Sequence, residues 1–291
     1  MGESRLNIAV LSGKGGTGKT FVSVNLAAAA AGSRYLDCDV EEPNGRLFFK
    51  PVITKQETVC VKVPVVDHVQ CTGCRRCVDF CRFNALAYIS GQVLVFTQLC
   101  HSCGGCPLVC PTGAISEEDK VIGTVEMGKS EDTTVVTGIM DPGEESGVAI
   151  IDQVLRHASN KSTEATIIDC PPGSSCTVME GIKDADYCLL VAEPTLLSVH
   201  NLGMVWELVK TFNKPFGVVI NKAVDNVHVV EDFCATHNIN VLAKIPFDFK
   251  LADFCAKGLI ACREDPAYLE LFSGLLRCIV EEAQHETTAN N

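Results

Sequence analysis

Eight cysteines between Cys71 and Cys110 fall in two runs of one spacing. Cys71, Cys74, Cys77 and Cys81 form the first run, Cys100, Cys103, Cys106 and Cys110 the second, and each reads C-x2-C-x2-C-x3-C. Three thiolates so spaced wrap an iron–sulfur cubane corner by corner, with loop amides directed at its sulfurs, while the fourth is better placed for the other cluster. The expected ligand sets of two [4Fe-4S] clusters are therefore Cys71, Cys74, Cys77 and Cys110 for one, and Cys100, Cys103, Cys106 and Cys81 for the other. Zinc is the competing metal, but two all-cysteine zinc sites ordinarily show separated C-x2-C pairs rather than triplets with a trailing fourth. Arg82 follows Cys81, whereas Pro111 follows Cys110. A cation beside a cluster favours its reduced form and raises its potential.

The second chemical signal runs Gly13, Lys14, Gly15, Gly16, Thr17, Gly18, Lys19 and Thr20, a phosphate loop of the form G-x-x-x-x-G-K-[ST] between an expected strand and an expected helix. Its glycines let successive N–H groups face one point, an anion nest at a helix N-terminus. Lys19 is expected to lie across the β and γ phosphates of a nucleotide and Thr20 to place its hydroxyl on Mg2+. Lys14 is an additional cation inside the loop, where it adds charge stabilisation for transferring phosphates. Two strands end in carboxylates: Tyr35-Leu36-Asp37-Cys38-Asp39, and Thr166-Ile167-Ile168-Asp169, whose apolar run would hold Asp169 rigidly near Mg2+. The pair Asn221-Lys222 lacks the aspartate that a guanine-reading motif places two positions after the lysine; Val224 stands there.

The elements that must position these groups follow an α/β rhythm. Residues 6–11 read as a buried strand, 19–31 as a helix rich in Ala, and 35–38 as a short strand ending in acidic residues. From 59 to 125 the rhythm breaks into a small turn-rich module with two hairpin pieces, at 86–89 and 93–96. It then resumes with strands expected at 133–138, 165–169, 188–192, 216–220 and 241–245, and helices at 148–158, 198–212, 227–236 and 267–283. Strands separated by helices of this length imply a mostly parallel sheet with helices on both faces. The polar stretch 285–291 reads as a frayed end. The domain reading is thus one α/β domain over 1–58 and 126–291, interrupted by an α+β insert at 59–125.

Composition removes several alternatives. With 36 acidic against 24 basic residues the formal charge is -12, which repels nucleic acid and disfavours an anionic membrane surface. No apolar run has the length of a membrane span, and the first residues run into the Gly-rich loop rather than through a leader pattern. The amphipathic segment 268–283 carries Glu270, Glu281 and Glu282 on its polar face, so packing against the sheet is the better reading. A cytoplasmic, reducing setting is expected, with no stable membrane anchor. Most of the nine cysteines outside the two runs are then small apolar fillers.

The spelling Lys14-Gly15-Gly16-Thr17-Gly18-Lys19-Thr20 resembles the deviant Walker A motif of MinD, ParA and nitrogenase-iron-protein ATPases, and residues 66–118 resemble two-cluster bacterial ferredoxins. Together the motifs resemble a MinD-like P-loop NTPase with an inserted ferredoxin domain. The resemblance implies a Mg2+-dependent ATPase of the SIMIBI class, binding ATP and ADP, in an ATP-dependent homodimer or a heterodimer with a paralogue. It casts Lys14 as the residue that reaches the partner subunit's nucleotide, and Asp39 as the switch aspartate that orients the attacking water, with Asp37 the weaker candidate. It makes Asp169 the Walker B carboxylate, Gly173 a donor to the γ phosphate, and Asn221 the adenine-reading asparagine, with Pro246 and Phe247 near the base. Cys176 matches one of two cysteines that hold a bridging cluster in the nitrogenase iron protein; the other has no counterpart in the turn from Asp141 to Gly147. The function expected first is coupling of nucleotide state to electron transfer or metal-cofactor handling, with a redox or metal-cofactor protein as partner. A positioning or partner-binding switch with structural or sensing clusters, and an iron–sulfur cluster carrier, are the alternatives.

Overall fold

Aliphatic runs too short for helices and buried on both faces make strands that need cover above and below. In the computed structural model, which describes residues 6–158 and 165–289 (285–289 by backbone alone), chain order runs β1 (Leu6–Leu11), α1 (Lys19–Ala29), β2 (Arg34–Asp37), α2 (Gly45–Phe49), β3 (Val52–Val66), α3 (Arg76–Phe80), β4 (Leu86–Ile89), β5 (Gln92–Val95), α4 (Gly105–Val109), β6 (Ile115–Ser130), β7 (Thr133–Met140) and α5 (Val148–Leu155). It continues through β8 (Ala165–Asp169), α6 (Cys176–Lys183), β9 (Tyr187–Ala192), α7 (Leu196–Thr211), β10 (Phe216–Ala223), α8 (Val229–Thr236), β11 (Val241–Pro246), α9 (Phe249–Ala256), α10 (Ala261–Glu264) and α11 (Pro266–Ala289). The expected frayed stretch lies outside the described residues at 290 and 291, while the backbone of 285–289 continues α11.

Nine strands form one sheet in the order β11-β10-β9-β1-β8-β2-β7-β6-β3. From β11 to β7 every pair is parallel, and β7–β6 and β6–β3 are antiparallel. One face is covered by α5 to α8 through Ile150, Ile151, Val178, Ile182, Val205 and Val209, all essentially inaccessible. The other is covered by α1 and α9 to α11 through Val22, Leu26, Leu251, Phe272, Leu275 and Ile279. Each such burial contributes about 1.5–3 kcal/mol, and together they hold the carboxyl ends of β1, β2 and β8 as a rigid rim. The expected mostly parallel sheet with helices on both faces is the fold observed.

The break in rhythm has a cause that periodicity did not disclose. β3 and β6, of 15 and 16 residues, pair from Val52 opposite Lys129 to Val66 opposite Ile115. They form a ribbon that starts in the main sheet and carries the cysteine-bearing residues at its far end. Positions 58/59 and 125/126, where the insert was drawn, lie inside these two strands. Their polar stretches, Thr54 to Thr58 and Ser116 to Lys120, are largely exposed, so they lack the half-buried alternation that marks a strand. At the end of the ribbon sit α3, α4 and the β4–β5 hairpin, turned by Ser90 (φ 51°) and Gly91 (φ 86°) in a two-residue turn of the primed type. Among the described residues no helix is long and apolar enough to cross a membrane.

Candidate functional site

The phosphate loop spans the gap between β1 and α1. Gly18 caps α1 at φ 91°, and a side chain there would also run into Asn221 Nδ2, 2.0 Å from the Cβ position. The loop borders a 520 Å3 cavity lined by Lys14, Thr17, Lys19 and Thr20, with Asp39 and Thr177 opposite. Thr17 Oγ1 is buried with no hydrogen-bond partner among the described residues. A buried polar atom beside such a cradle fits an anionic ligand carrying many acceptor oxygens.

Sheet order sets the electrostatics. β2 and β8 are neighbours, with Asp37 in register with Asp169, so three carboxylates converge on the ammonium that begins α1. Lys19 Nζ lies 2.5 Å from Asp169 Oδ1 and 3.5 Å from Asp39 Oδ2, and is only 6% exposed. Burial works against its charge, but Asp169 and Asp39 more than offset it and hold its pKa above the ordinary lysine value. The other oxygen of Asp169 accepts a 2.8 Å hydrogen bond from the fully buried Tyr35 hydroxyl, and Ser23 Oγ lies 3.1 Å from Oδ1. Asp37 accepts from the Gly45 N–H at 3.0 Å, while its second oxygen is buried without a partner among the described residues. Burial, then the nearby Asp169, push Asp37 well above the usual carboxylate range. Burial also raises Asp39, against the pull of Lys19.

Several expected contacts take another form. Asn221 Nδ2 donates to the Thr17 carbonyl at 2.8 Å, so this amide braces the loop. The Gly173 N–H donates to the Ser12 carbonyl at 2.8 Å. Pro246 ends β11 and, with Phe247, lies outside the residues lining the cavity. Lys14 pairs with Glu193 of its own chain. Cys176 is exposed at the first position of α6, following Pro171 and Pro172, which border the cavity. Tyr35, Ser23 and Glu193 escaped the sequence reading. The one available signal for Tyr35 was a phenol in a buried aliphatic strand, which requires a polar partner; for Glu193 it was an acid ending the apolar strand β9.

At the far end of the ribbon the cysteines fall into two neighbourhoods. Cys77 has Cys110 and Cys71 as charge neighbours, and Cys106 has Cys100 and Cys103. Burial raises the Cys77 thiol and pushes Cys106 up to about 11. A second cavity, of 170 Å3, is lined by Cys81, Cys100, Cys103 and Cys106 together with Phe80 and Phe83. The N–H groups of Ala85 and Ser102 point at Cys81 Sγ and Cys100 Sγ, each at 3.4 Å. This donor set fits a polynuclear sulfide cluster: four thiols about one space, with backbone amides directed at sulfur. Among the described residues no three His, Cys, Asp or Glu side chains converge as a single-ion site requires. Cys38, Cys170, Cys188, Cys234 and Cys262 are buried fillers as expected, while Cys60 and Cys176 are exposed.

Comparison with known proteins places this geometry in a family. The model of the CobQ/CobB/MinD/ParA nucleotide binding domain matches residues 8–260. An uncharacterized protein of Methanocaldococcus jannaschii is 31% identical over 261 residues, covering 88% of this chain and 90% of that protein. An iron-sulfur cluster carrier protein of the same organism is 26% identical over 306 residues, covering 98% and 87%. Among solved structures, the septum site-determining protein MinD of Pyrococcus horikoshii, complexed with Mg-ADP, shares the fold at a TM-score of 0.58 and 18% identity, over 94% of this chain and 95% of that one. The matched span runs from β1 beyond α9 and contains the loop, both carboxylate-ended strands and Asn221, so the chain belongs to the CobQ/CobB/MinD/ParA nucleotide-binding domain family.

Proposed function

We propose that this protein is a dimeric Mg2+-dependent ATPase that carries two [4Fe-4S] clusters and couples nucleotide state to electron transfer or metal-cofactor handling. The observation that carries the reading is the occurrence, on one continuous sheet, of a phosphate cradle and a four-thiol cavity joined by β3 and β6. In this reading Lys19 leaves Asp169 to lie along the β and γ phosphates, and the backbone of Gly13 to Gly18 receives their oxygens. Thr20 and Asp169 would hold Mg2+, which would supply charge neutralisation. Asp39 orients the attacking water, and Lys14 serves the partner subunit's site. The first cluster would take Cys71, Cys74, Cys77 and Cys110, the second Cys100, Cys103, Cys106 and Cys81; when bound they supply one-electron redox chemistry.

Coupling is supported by what touches the turn from Asp141 to Gly147. On one side Met140 N–H donates to the carbonyl of Val40, the residue after Asp39, at 2.9 Å, and Gly147 packs against the Val40 side chain. On the other side Asp141 N–H donates to Ile122 of β6 at 3.0 Å, and Glu144 pairs with Lys120 of β6 at 2.8 Å. A shift at Asp39 on nucleotide binding therefore presses on the strand that leads to the cysteines.

The test is made on anaerobically purified protein. About eight irons and eight acid-labile sulfides per chain are expected, and Lys19→Ala lowers ATP hydrolysis by on the order of 10²–10³. Reduction of the clusters changes nucleotide affinity by about fivefold. Stoichiometric zinc without sulfide refutes the cluster assignment, full activity in Lys19→Ala refutes the site, and equal affinity in both redox states refutes the coupling. A second reading, cluster delivery, is favoured by the similarity to an iron-sulfur cluster carrier protein and by the exposed Cys176. It predicts about twenty irons per dimer in place of sixteen, the surplus lost in Cys176→Ser.

A further inference from the structure

Glu193 stands at the carboxyl end of β9, where the chain turns into α7. Its backbone is fixed: its N–H donates to Ser198 Oγ at 3.0 Å, and its carbonyl accepts from Thr195 N–H at 2.7 Å, while Thr195 Oγ1 caps α7 by accepting from Ser198 N–H at 3.1 Å. The carboxylate, 14% exposed, is shared by two ammonium groups. Oε1 pairs with Lys14 inside the phosphate loop, and Oε2 lies 3.2 Å from Lys222 Nζ. Lys222 Nζ also donates to the Gly16 carbonyl at 2.7 Å, from a backbone held at φ 55°. Burial tends to raise Glu193, but the two lysines outweigh it and hold the carboxyl below its usual range. One fixed carboxylate thus gathers both cations that border the loop on the β9–β10 side.

We propose that Glu193 is a positioning residue that serves as an internal counter-anion: it holds Lys14 and, through Lys222, the Gly16 edge of the loop when no nucleotide is bound, and it yields Lys14 to the partner subunit's nucleotide when a nucleoside triphosphate is bound. The proposal rests on the reading of this loop as a nucleotide site. An ammonium satisfied by a carboxylate in a part-buried crevice must give up that pair before it meets a phosphate, so the carboxylate competes with the incoming anion. Glu193 therefore weakens nucleotide binding while keeping the empty loop ordered.

The test measures equilibrium binding of Mg-AMPPNP to the full chain by calorimetry. Glu193→Gln keeps the shape and removes the charge. It is expected to bind about fivefold more tightly than wild type, with an affinity that falls more steeply with salt because the site is one positive charge richer. Glu193→Asp, which restores the charge, should return close to wild-type affinity and is the second variant should Glu193→Gln fail to fold. The gain should vanish when Glu193→Gln is made in a Lys14→Ala background, since the effect passes through that ammonium. Unchanged or weaker binding by Glu193→Gln, or a gain that survives without Lys14, overturns the proposal. Absence of binding by every form, wild type included, overturns the nucleotide reading itself.

Discussion

The sheet body and the cysteine-bearing end of the β3–β6 ribbon are held by different physics. In the body β2, β8 and β9 are buried along their whole length, and helices close over both faces. At the end of the ribbon the buried apolar cluster is Cys77, Leu86, Val93, Cys106 and Ile115, two of them thiols, while Val69, Phe80, Phe83 and Leu108 stand exposed. A unit of roughly fifty residues with so little apolar burial normally needs a metal or a cross-link. The contrast teaches that the cysteines are structural elements of their region as much as chemical ones, whereas the carboxylates of the phosphate site are guests of a body that folds by burial.

The strongest way to break that contrast is to remove the iron that the proposed clusters would bring. Anaerobic chelation is expected to abolish hydrogen-exchange protection in α3, α4, β4 and β5 and to leave β1, β8 and β9 protected; equal protection with and without iron would show the module standing on its own core. A smaller effect is expected inside the body from Tyr35→Phe. It leaves one buried oxygen of Asp169 without its donor, at a cost of about 1–3 kcal/mol in denaturant unfolding, and it lowers kcat more than it raises KM, because it frees the carboxylate and not the loop. No loss in either measurement would remove Tyr35 from the site.

The smallest effect lies at the join of the two regions. Glu57 of β3 is held at about 2, first by the hydrogen bond from Lys55 and then by that from Gln153 of α5 at 2.6 Å. Its folded pKa lies below the ordinary 4.5, so the native state binds fewer protons. The stabilisation is complete above that value and is lost as pH falls through the window from 4.5 toward 2. Glu57→Gln should flatten the acid limb of the urea-unfolding midpoint there by less than about 1 kcal/mol; identical limbs would show that the tie carries nothing.

Much of the architecture was legible because its signals are local. The run from Leu6 to Leu11 before the glycines, the helix opening at Lys19 and the largely apolar approach to Asp169 each announce an element through neighbours in sequence. The ribbon was not legible. Its partner strands are 49 residues apart at their far pairing, Val66 opposite Ile115, and 64 apart at Val59 opposite Gly123, and their exposed residues lack a period. Tyr35 and Glu193 were missed for a related reason: each acquires its meaning from partners on other strands or loops.

Residue types and spacing alone determined that this chain offers a phosphate cradle and two four-thiol runs, because backbone nests and cluster loops are built from neighbours within a few positions. Only the tertiary structure decided which groups share a charge. The order β10-β9-β1-β8-β2 is what sets Asp37 and Asp169 around Lys19, and it sets Glu193 between Lys14 and Lys222. Coulombic interaction depends on distance through space, and strand order, which no local pattern encodes, sets that distance.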